Sequence, residues 1–411
     1  MTRSRENLSL LSRRRFVAGS ALAGALAGMS SLSFAGSGGR AGNRFVMVVL
    51  RGGMDGLGAV PAIGDPDFAP ARGPLAQYGS MPLALDSTFS LHPQLVEVQA
   101  MYGRGEAAVL HAVGLAYRER SHFDAQQVLE SGGTRPYELS TGWLGRSLAS
   151  SGAKGIALNT SVPLVLRGSS AIDTWAPSTL PDPSAELVAR LEQMYANDPA
   201  LATALERARA LHLDGPPLQD AATLNDGMTA AMAPGAARPG NFVVLSRRAA
   251  EFLSQPIGPQ AAVLELGGWD THANQANLNG ALANALRQLD AGLAALRAGL
   301  IQGDAWSRTV VVVASEFGRE VAVNGTLGTD HGTGGAAFVL GGAVRGGRVV
   351  ADWPGLAKGK RFEGRDLRTT TDLRAVLKGV LSDHLQVASR ALERDVFPAS
   401  ESVRPLSLLR A

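Results

Sequence analysis

Apolar residues gather into short unbroken runs, separated by longer stretches with helical spacing. Arg44–Leu50 (RFVMVVL), Ala107–Val113 (AAVLHAV), Ala261–Leu266 (AAVLEL) and Thr309–Ala314 (TVVVVA) are almost wholly apolar on both faces. Central strands of a parallel sheet, covered by helices above and below, have this character. Pro163–Leu166 is a weaker run, and Ala336–Leu340 reads as a further strand near an edge. Ser184–His212, Leu278–Gln302 and a stretch opening with Thr371–Leu381 carry their apolar residues at helical spacing. Strands alternating with helices predict the α/β class: a three-layer α/β/α sandwich around a mostly parallel central sheet. Residues 44–411 read as a single domain with a helical and loop insertion near 180–240, of which 213–240 is a long connection rich in Gly, Pro, Ala and Asp.

The first residues are of another kind. Ser12-Arg13-Arg14-Arg15-Phe16-Val17 matches the twin-arginine export pattern, a weakly apolar Gly/Ala stretch follows, and Ser33-Phe34-Ala35 offers a small-x-small cleavage site. Residues 1–35 are therefore expected to be a signal peptide and 36–43 a flexible linker. A bilayer span needs about 20 strongly apolar residues, and Gly and Ser dilute this stretch, so the mature chain is expected to have no transmembrane anchor. The expected location is the periplasm or the exterior, and the first expected partner is the twin-arginine translocation machinery.

Composition narrows the chemistry. The 411 residues include 49 Gly, 7 His and no Cys. That excludes disulfides, thiolate metal sites, iron–sulfur clusters, cysteine nucleophiles and a formylglycine made from cysteine. The formal charge of +3 belongs to the leader, which holds five of the 39 basic residues and one of the 36 acidic ones; the remaining 34 basic and 35 acidic residues nearly cancel. Without a basic stripe, nucleic acid is not an expected partner.

In open α/β sheets the ligand crevice lies beyond the carboxyl ends of the strands, so the residues after each run matter most. After Arg44–Leu50, the turn RGGMDG holds Asp55 as its only acid, in a context that equally suits an ordinary Asp-Gly turn. After Ala107–Val113 come Arg118, Arg120, Ser121, His122 and Asp124, just before a helical stretch. Ser121 there is either an N-cap or a nucleophile at a helix N-terminus, with an arginine to clamp an anion. After Ala261–Leu266, Asp270 and His272 stand two residues apart in GGWDTHAN, as cation ligands or as a helix cap beside a solvated imidazole. After Thr309–Ala314, Glu316 is either a site carboxylate or a partner for Arg319, and Asp330-His331 lies between two glycine clusters. His92, His111, His212 and His384 read as turn, core or surface residues. Asp55, Asp270, His272, Glu316, Asp330 and His331 thus form one expected ligand set. Carboxylates gathered without a cation repel one another, and oxygen-rich sites with one or two His suit a divalent metal: Zn, Mn, Ca or Mg.

RGGMDG (51–56), RSHFDAQ (120–126), GGWDTHANQ (267–275), SEFGR (315–319) and GTDHGTGG (328–335), in this order behind a twin-arginine leader, resemble the bacterial domain-of-unknown-function-1501 family. That family resembles the alkaline phosphatase and sulfatase superfamily, which implies an alkaline-phosphatase-like α/β/α sandwich with a metal centre. By this resemblance Asp55 stands where those enzymes keep an acid after the first strand, and Asp270 and His272 stand for their mid-chain Asp…His pair. His331, beside Asp330, stands for the last His ligand, and Ser121 is the nearest match to the nucleophile. Glu316-Phe317-Gly318 replaces the superfamily's Asp-His-Gly, so one imidazole is missing. The first expectation is a metal-dependent hydrolase of phosphate or sulfate esters, with Ser121, Arg120 and His122 as its catalytic group. The alternative is a non-catalytic envelope protein that binds an anionic glycan on the same scaffold.

Overall fold

The computed structural model describes residues 42–177, 183–213, 241–275 and 279–410. The expected signal peptide, most of the expected linker and most of the connection at 213–240 lie outside the described residues. Contacts make Asn43–Ala411 one compact unit.

The sheet has nine strands: β1 (Arg44–Leu50), β2 (Ala107–Gly114), β3 (Gly155–Ala157), β4 (Ile172–Thr174), β5 (Ala261–Leu266), β6 (Thr309–Ser315), β7 (Gly335–Leu340), β8 (Arg348–Val350) and β9 (Thr371–Asp372). Their order is β8-β2-β7-β6-β1-β5-β3-β4, with β9 pairing β2 beyond β8. Every pairing is parallel except those of β7, which runs antiparallel to β2 and β6. Side chains alternate across the sheet with period two. Val46, Val48 and Leu50 enter one core with α1 (Val96–Gly103), and with the later helices α6 (Asn241–Ser254) and α7 (Ala281–Gln302). Phe45, Met47 and Val49 enter the other, with α2 (His122–Ser131), α3 (Trp143–Ser151) and α8 (Leu373–Leu385). This is the three-layer α/β/α sandwich with a mostly parallel sheet that the pattern predicts.

Three expectations change. Pro163–Leu166 is no strand: Leu164–Leu166 forms a single 3-10 turn, its side chains buried and the N–H of Val165 donated to Glu130. Ala336–Leu340 is not near an edge but lies fully buried between β2 and β6. The helix expected over 184–212 is two, α4 (Ala185–Tyr195) and α5 (Pro199–Leu213), divided at Asn197-Asp198-Pro199. Pro199 opens the second, the position where its missing N–H costs nothing.

Register builds the site. Leu50 stands level with Leu266 on one side and Ser315 on the other. Arg51, Gly267 and Glu316 therefore leave the sheet together. Antiparallel β7 starts at the same edge, with Gly335 paired to Val113 near the end of β2. That brings the glycine loop 325–335 beside the other three exits.

Candidate metal centre

Glycine lets these loops pack backbone to backbone. A Cβ on Gly52 (φ 124°) would lie 2.7 Å from the Asp270 nitrogen, and one on Gly318 would lie 1.9 Å from the Gly334 oxygen. Only a residue without a Cβ permits either approach.

Within the resulting crevice three ring nitrogens and one carboxylate oxygen converge. His122 Nε2 lies 3.0 Å from His331 Nε2, which lies 3.0 Å from His272 Nε2. Asp270 Oδ1 is 3.0 Å from His272 Nε2, 3.3 Å from His331 Nε2 and 3.5 Å from His122 Nε2. The ligand atoms of His122, Asp270 and His331 all lie within 4.8 Å of one another. Bonds of about 2.0–2.1 Å to a tetrahedral cation put neighbouring donor atoms ~3.3 Å apart; the three contacts within the His122–Asp270–His331 group, at 3.0, 3.3 and 3.5 Å, straddle that value, and His272 reaches His331 and Asp270 from one side.

Proton placement suits this cluster to a cation. The Nδ1 of His122 faces Glu316 Oε1 at 2.7 Å, that of His272 faces Asp330 Oδ1 at 3.2 Å, and that of His331 faces the Arg120 carbonyl at 2.9 Å. All three partners are acceptors only, so each Nδ1 carries the hydrogen. In the neutral ring the Nε2 is then a bare lone pair. The His122 and His331 lone pairs and the Asp270 oxygen lie close enough to share one cation, with the His272 lone pair beside His331 and Asp270. An added proton bridges a single pair of them; a cation satisfies the three together. Holding the outer nitrogen in this way is how metal-ligating histidines are commonly oriented.

The electrostatics agree. Burial works against a charged His122, but the hydrogen bond and charge of Glu316, with Asp270 beyond, hold its pKa above the ordinary imidazole range. Burial, and then His122 itself, push His331 below it. Burial also opposes ionisation of Asp270, yet the Arg319 guanidinium holds that carboxyl below the usual range. Glu316 is lowered despite burial, chiefly by its bond to His122.

The expected residues therefore sort into layers. Asp270, His272 and His331 meet at the centre. His122, expected to act beside Ser121, turns its ring into the same cluster. Glu316 and Asp330 stand one shell out, each holding an imidazole. Glu316 is buried and also accepts from Gly52 N–H, Gln126 and Ser315. Asp55 does not join them: its carboxylate is enclosed by Arg72, Gln275 and the Gly58 N–H. Arg120 is no anion clamp, because its guanidinium binds Glu363 and Asp366 while its carbonyl holds His331. Arg120 has φ 59°, a left-handed backbone that costs a non-glycine residue roughly 1–2 kcal/mol. Ser121 is the N-cap of α2 by position, but its hydroxyl makes no capping bond.

Three contributors were not singled out by the sequence. Phe317 walls the cluster, with ring centroids 4.7 Å from His122 and 5.1 Å from His331. Arg319, paired with Asp270 rather than Glu316, also donates to the carbonyls of Gly52, Gly53, Trp269 and Thr329, tying three loops together. Asp366, fully buried, joins Arg120 to Arg365, whose guanidinium donates to the His331 carbonyl. A lone arginine after the last central strand was the available signal for Arg319; nothing near Asp366 in sequence marks it.

Fold and site together define an α/β/α protein with a candidate cation centre at the carboxyl edge of its sheet. The chain belongs to the family described as "Protein of unknown function (DUF1501)", matched over residues 43–396. No curated protein matches it. Among solved structures it is similar to the phosphonate monoester hydrolase of Agrobacterium radiobacter, at 10% identity and TM-score 0.42, over 84% of this chain and 74% of that one. It is also similar to the PsFucS1 sulfatase from Pseudoalteromonas sp., at 12% identity and TM-score 0.38, over 83% and 68%. A protein in the alkaline phosphatase superfamily from Vibrio parahaemolyticus is similar at 12% identity and TM-score 0.37, over 73% and 60%. These superpositions are weak, and the chemistry of this chain rests on its own side chains. Among the described residues no helix is long and apolar enough to cross a membrane.

Proposed function

We propose that the chain is an exported, metal-dependent hydrolase of phosphate or sulfate esters. One observation carries the metal: His122 and His331, each with its Nδ1 proton held by an acceptor, bring bare Nε2 atoms within 4.8 Å of each other and of an Asp270 oxygen, and His272, held likewise by Asp330, adds a third beside His331 and Asp270. Three nitrogens and one carboxylate fit Zn²⁺ or Mn²⁺; Ca²⁺ and Mg²⁺, which take oxygen ligands, fit less well. Asp270 and His272 are 48% and 44% exposed at their side chains, so a cation held there is open to solutes. A purely structural zinc is normally enclosed by its four ligands.

A bound cation supplies Lewis acidity toward an ester oxygen. The chain's own residues do the rest. Glu316, Asp330 and the Arg120 carbonyl keep the Nδ1 protons outward, and Arg319 holds Asp270. Ser121, next to His122 and not spent on capping, is the candidate nucleophile or anion binder. Export rests on the Arg13-Arg14-Arg15-Phe16 leader, which would deliver the folded protein through the twin-arginine machinery to the periplasm or beyond.

The engagement of Arg120 with Glu363 and Asp366 favours a second reading, in which the centre binds a phosphorylated or sulfated glycan without turnover. A panel of aryl phosphate monoesters, phosphodiesters and sulfate esters, offered to zinc- or manganese-loaded protein, separates the two. Turnover that chelator removes and Ser121→Ala reduces supports the hydrolase. Binding of an anionic glycan with no turnover supports the alternative.

A further inference from the structure

Asp55, drawn away from the cation centre, sits at the root of a second polar assembly that reaches it from behind. Its carboxylate accepts from Arg72 and from Gln275 Nε2, and all three side chains are nearly or fully buried. A carboxylate is acceptor only, so Asp55 dictates which end of the Gln275 amide faces it. The NH₂ must point at Asp55 and the Oε1 away. That oxygen accepts two hydroxyls, Thr271 Oγ1 at 2.7 Å and Thr329 Oγ1 at 2.8 Å. Both threonines are buried. Thr271 lies between Asp270 and His272; Thr329 precedes Asp330 and His331. One amide oxygen therefore staples the two loops that carry three of the four central donors. The backbone adds Thr329 N–H to the Thr271 carbonyl at 3.1 Å, and further along the same loops Asn274 and Gln275 N–H donate to the Thr326 and Leu327 carbonyls at 3.0 and 2.9 Å. Arg72 extends the brace by donating to the Val321 and Glu320 carbonyls, and Glu320 N–H in turn bonds the Asp330 carbonyl.

We propose that Asp55, Gln275, Thr271 and Thr329 form a buried clamp that sets the separation of the Asp270–His272 and His331 donors. They are positioning residues for the cation, not ligands, and this rests on the metal reading above. The four groups complete one another: the anion orients the amide, and the amide oxygen takes both hydroxyl protons. Removing one hydroxyl takes away a buried side-chain tie next to the ligands without touching a ligand, while the backbone bonds between the loops remain.

The test uses the full chain loaded with Co²⁺ or Zn²⁺. Thr271→Val and Thr329→Val keep side-chain shape and remove the donors; Thr271→Ser and Thr329→Ser keep the donors. The double valine variant is expected to bind either metal about 10- to 100-fold more weakly, the usual effect of losing outer-shell partners. Its Co²⁺ visible spectrum should change in intensity, and the serine pair should restore affinity and spectrum. A merely structural role would lower the melting temperature of the metal-free protein and leave the spectrum alone. Should the double variant fold poorly, Thr329→Val against Thr329→Ser gives the same comparison. Metal binding by the parent protein with unchanged affinity and spectrum in the valine variants overturns the clamp alone. No metal binding by the parent overturns the clamp and the metal reading together.

Discussion

His122 Nδ1 lies 2.7 Å from Glu316 Oε1, and that bond decides which ring nitrogen His122 turns toward His331. Glu316 has no exposed side-chain surface, so the hydrogen bond is made in a low-dielectric setting where it is strong and where its loss is costly. The carboxylate that sequence order suggested as a ligand acts instead through the imidazole in front of it.

Glu316→Gln keeps the size of the side chain but weakens the acceptor and allows the amide to present its NH₂ to His122. Metal affinity is expected to fall about 10- to 100-fold, read by competition with a chromogenic chelator. Gly52 and Gln126 donate to the same Oε1 as His122, so an NH₂ turned there leaves them without an acceptor and the melting temperature of the metal-free protein should fall as well; Glu316→Asp, which keeps a carboxylate, separates the two effects.

Metal should stabilise the fold. A ligand that binds only the native state adds about 2.7 kcal/mol at a hundredfold excess over its Kd. Thermal unfolding with zinc or manganese should therefore run above unfolding with chelator, and the gap should close in His331→Ala. An equal gap in that variant would show that the ion binds elsewhere.

The binding should depend on pH with a definite sign. The cation needs three neutral imidazoles, so protons compete with it and affinity falls as pH falls. His122, held above the ordinary imidazole range by Glu316 and Asp270, takes a proton first. Loss of affinity should begin above the ordinary imidazole range. In the metal-free protein the same raised pKa works the other way. Its contribution to stability is present below the unfolded value and is lost as pH rises through the folded one. Isothermal titrations from pH 5.5 to 8.5 should show affinity rising with pH.

Asp55→Ala strips the counter-charge from Arg72, which is fully buried. Breaking such a pair from one side typically costs about 3–5 kcal/mol, visible in denaturant unfolding. The variant should still take one metal ion per chain, because Asp55 is not a ligand. Because Asp55 also belongs to the clamp, affinity should fall about 10- to 100-fold; a folded variant that takes no ion even at metal far above that weakened Kd would restore Asp55 to the ligand set.

Much of the scaffold was legible because central parallel strands have no polar face. RFVMVVL and AAVLEL match β1 and β5 residue for residue. The strand-end rule then pointed to the loops that converge at this sheet edge. β7 was misplaced because its small residues, Gly335, Ala336 and Ala337, resemble a weak edge strand; they are small because other chain segments press close there. A Cβ on Gly56 would sit 2.6 Å from Ala336 N. At the site, residue types and neighbourhood were readable, but the layer was not. Whether Glu316 or His122 faces the cation depends on ångström-scale placement, and Arg120 acts through a carbonyl that no side-chain pattern reveals. Asp55 followed the first strand as a ligand would, but Arg72 and Gln275, remote in sequence, took its oxygens.

The most direct measurement is the metal content of the purified full-length protein after exposure to zinc or manganese and removal of excess, by elemental analysis, beside the His122→Ala/His331→Ala double variant. One ion per chain in the parent and none in the folded variant is the predicted result. A parent that retains no ion, or a variant that retains as much as the parent, would contradict a cation held where these imidazoles meet.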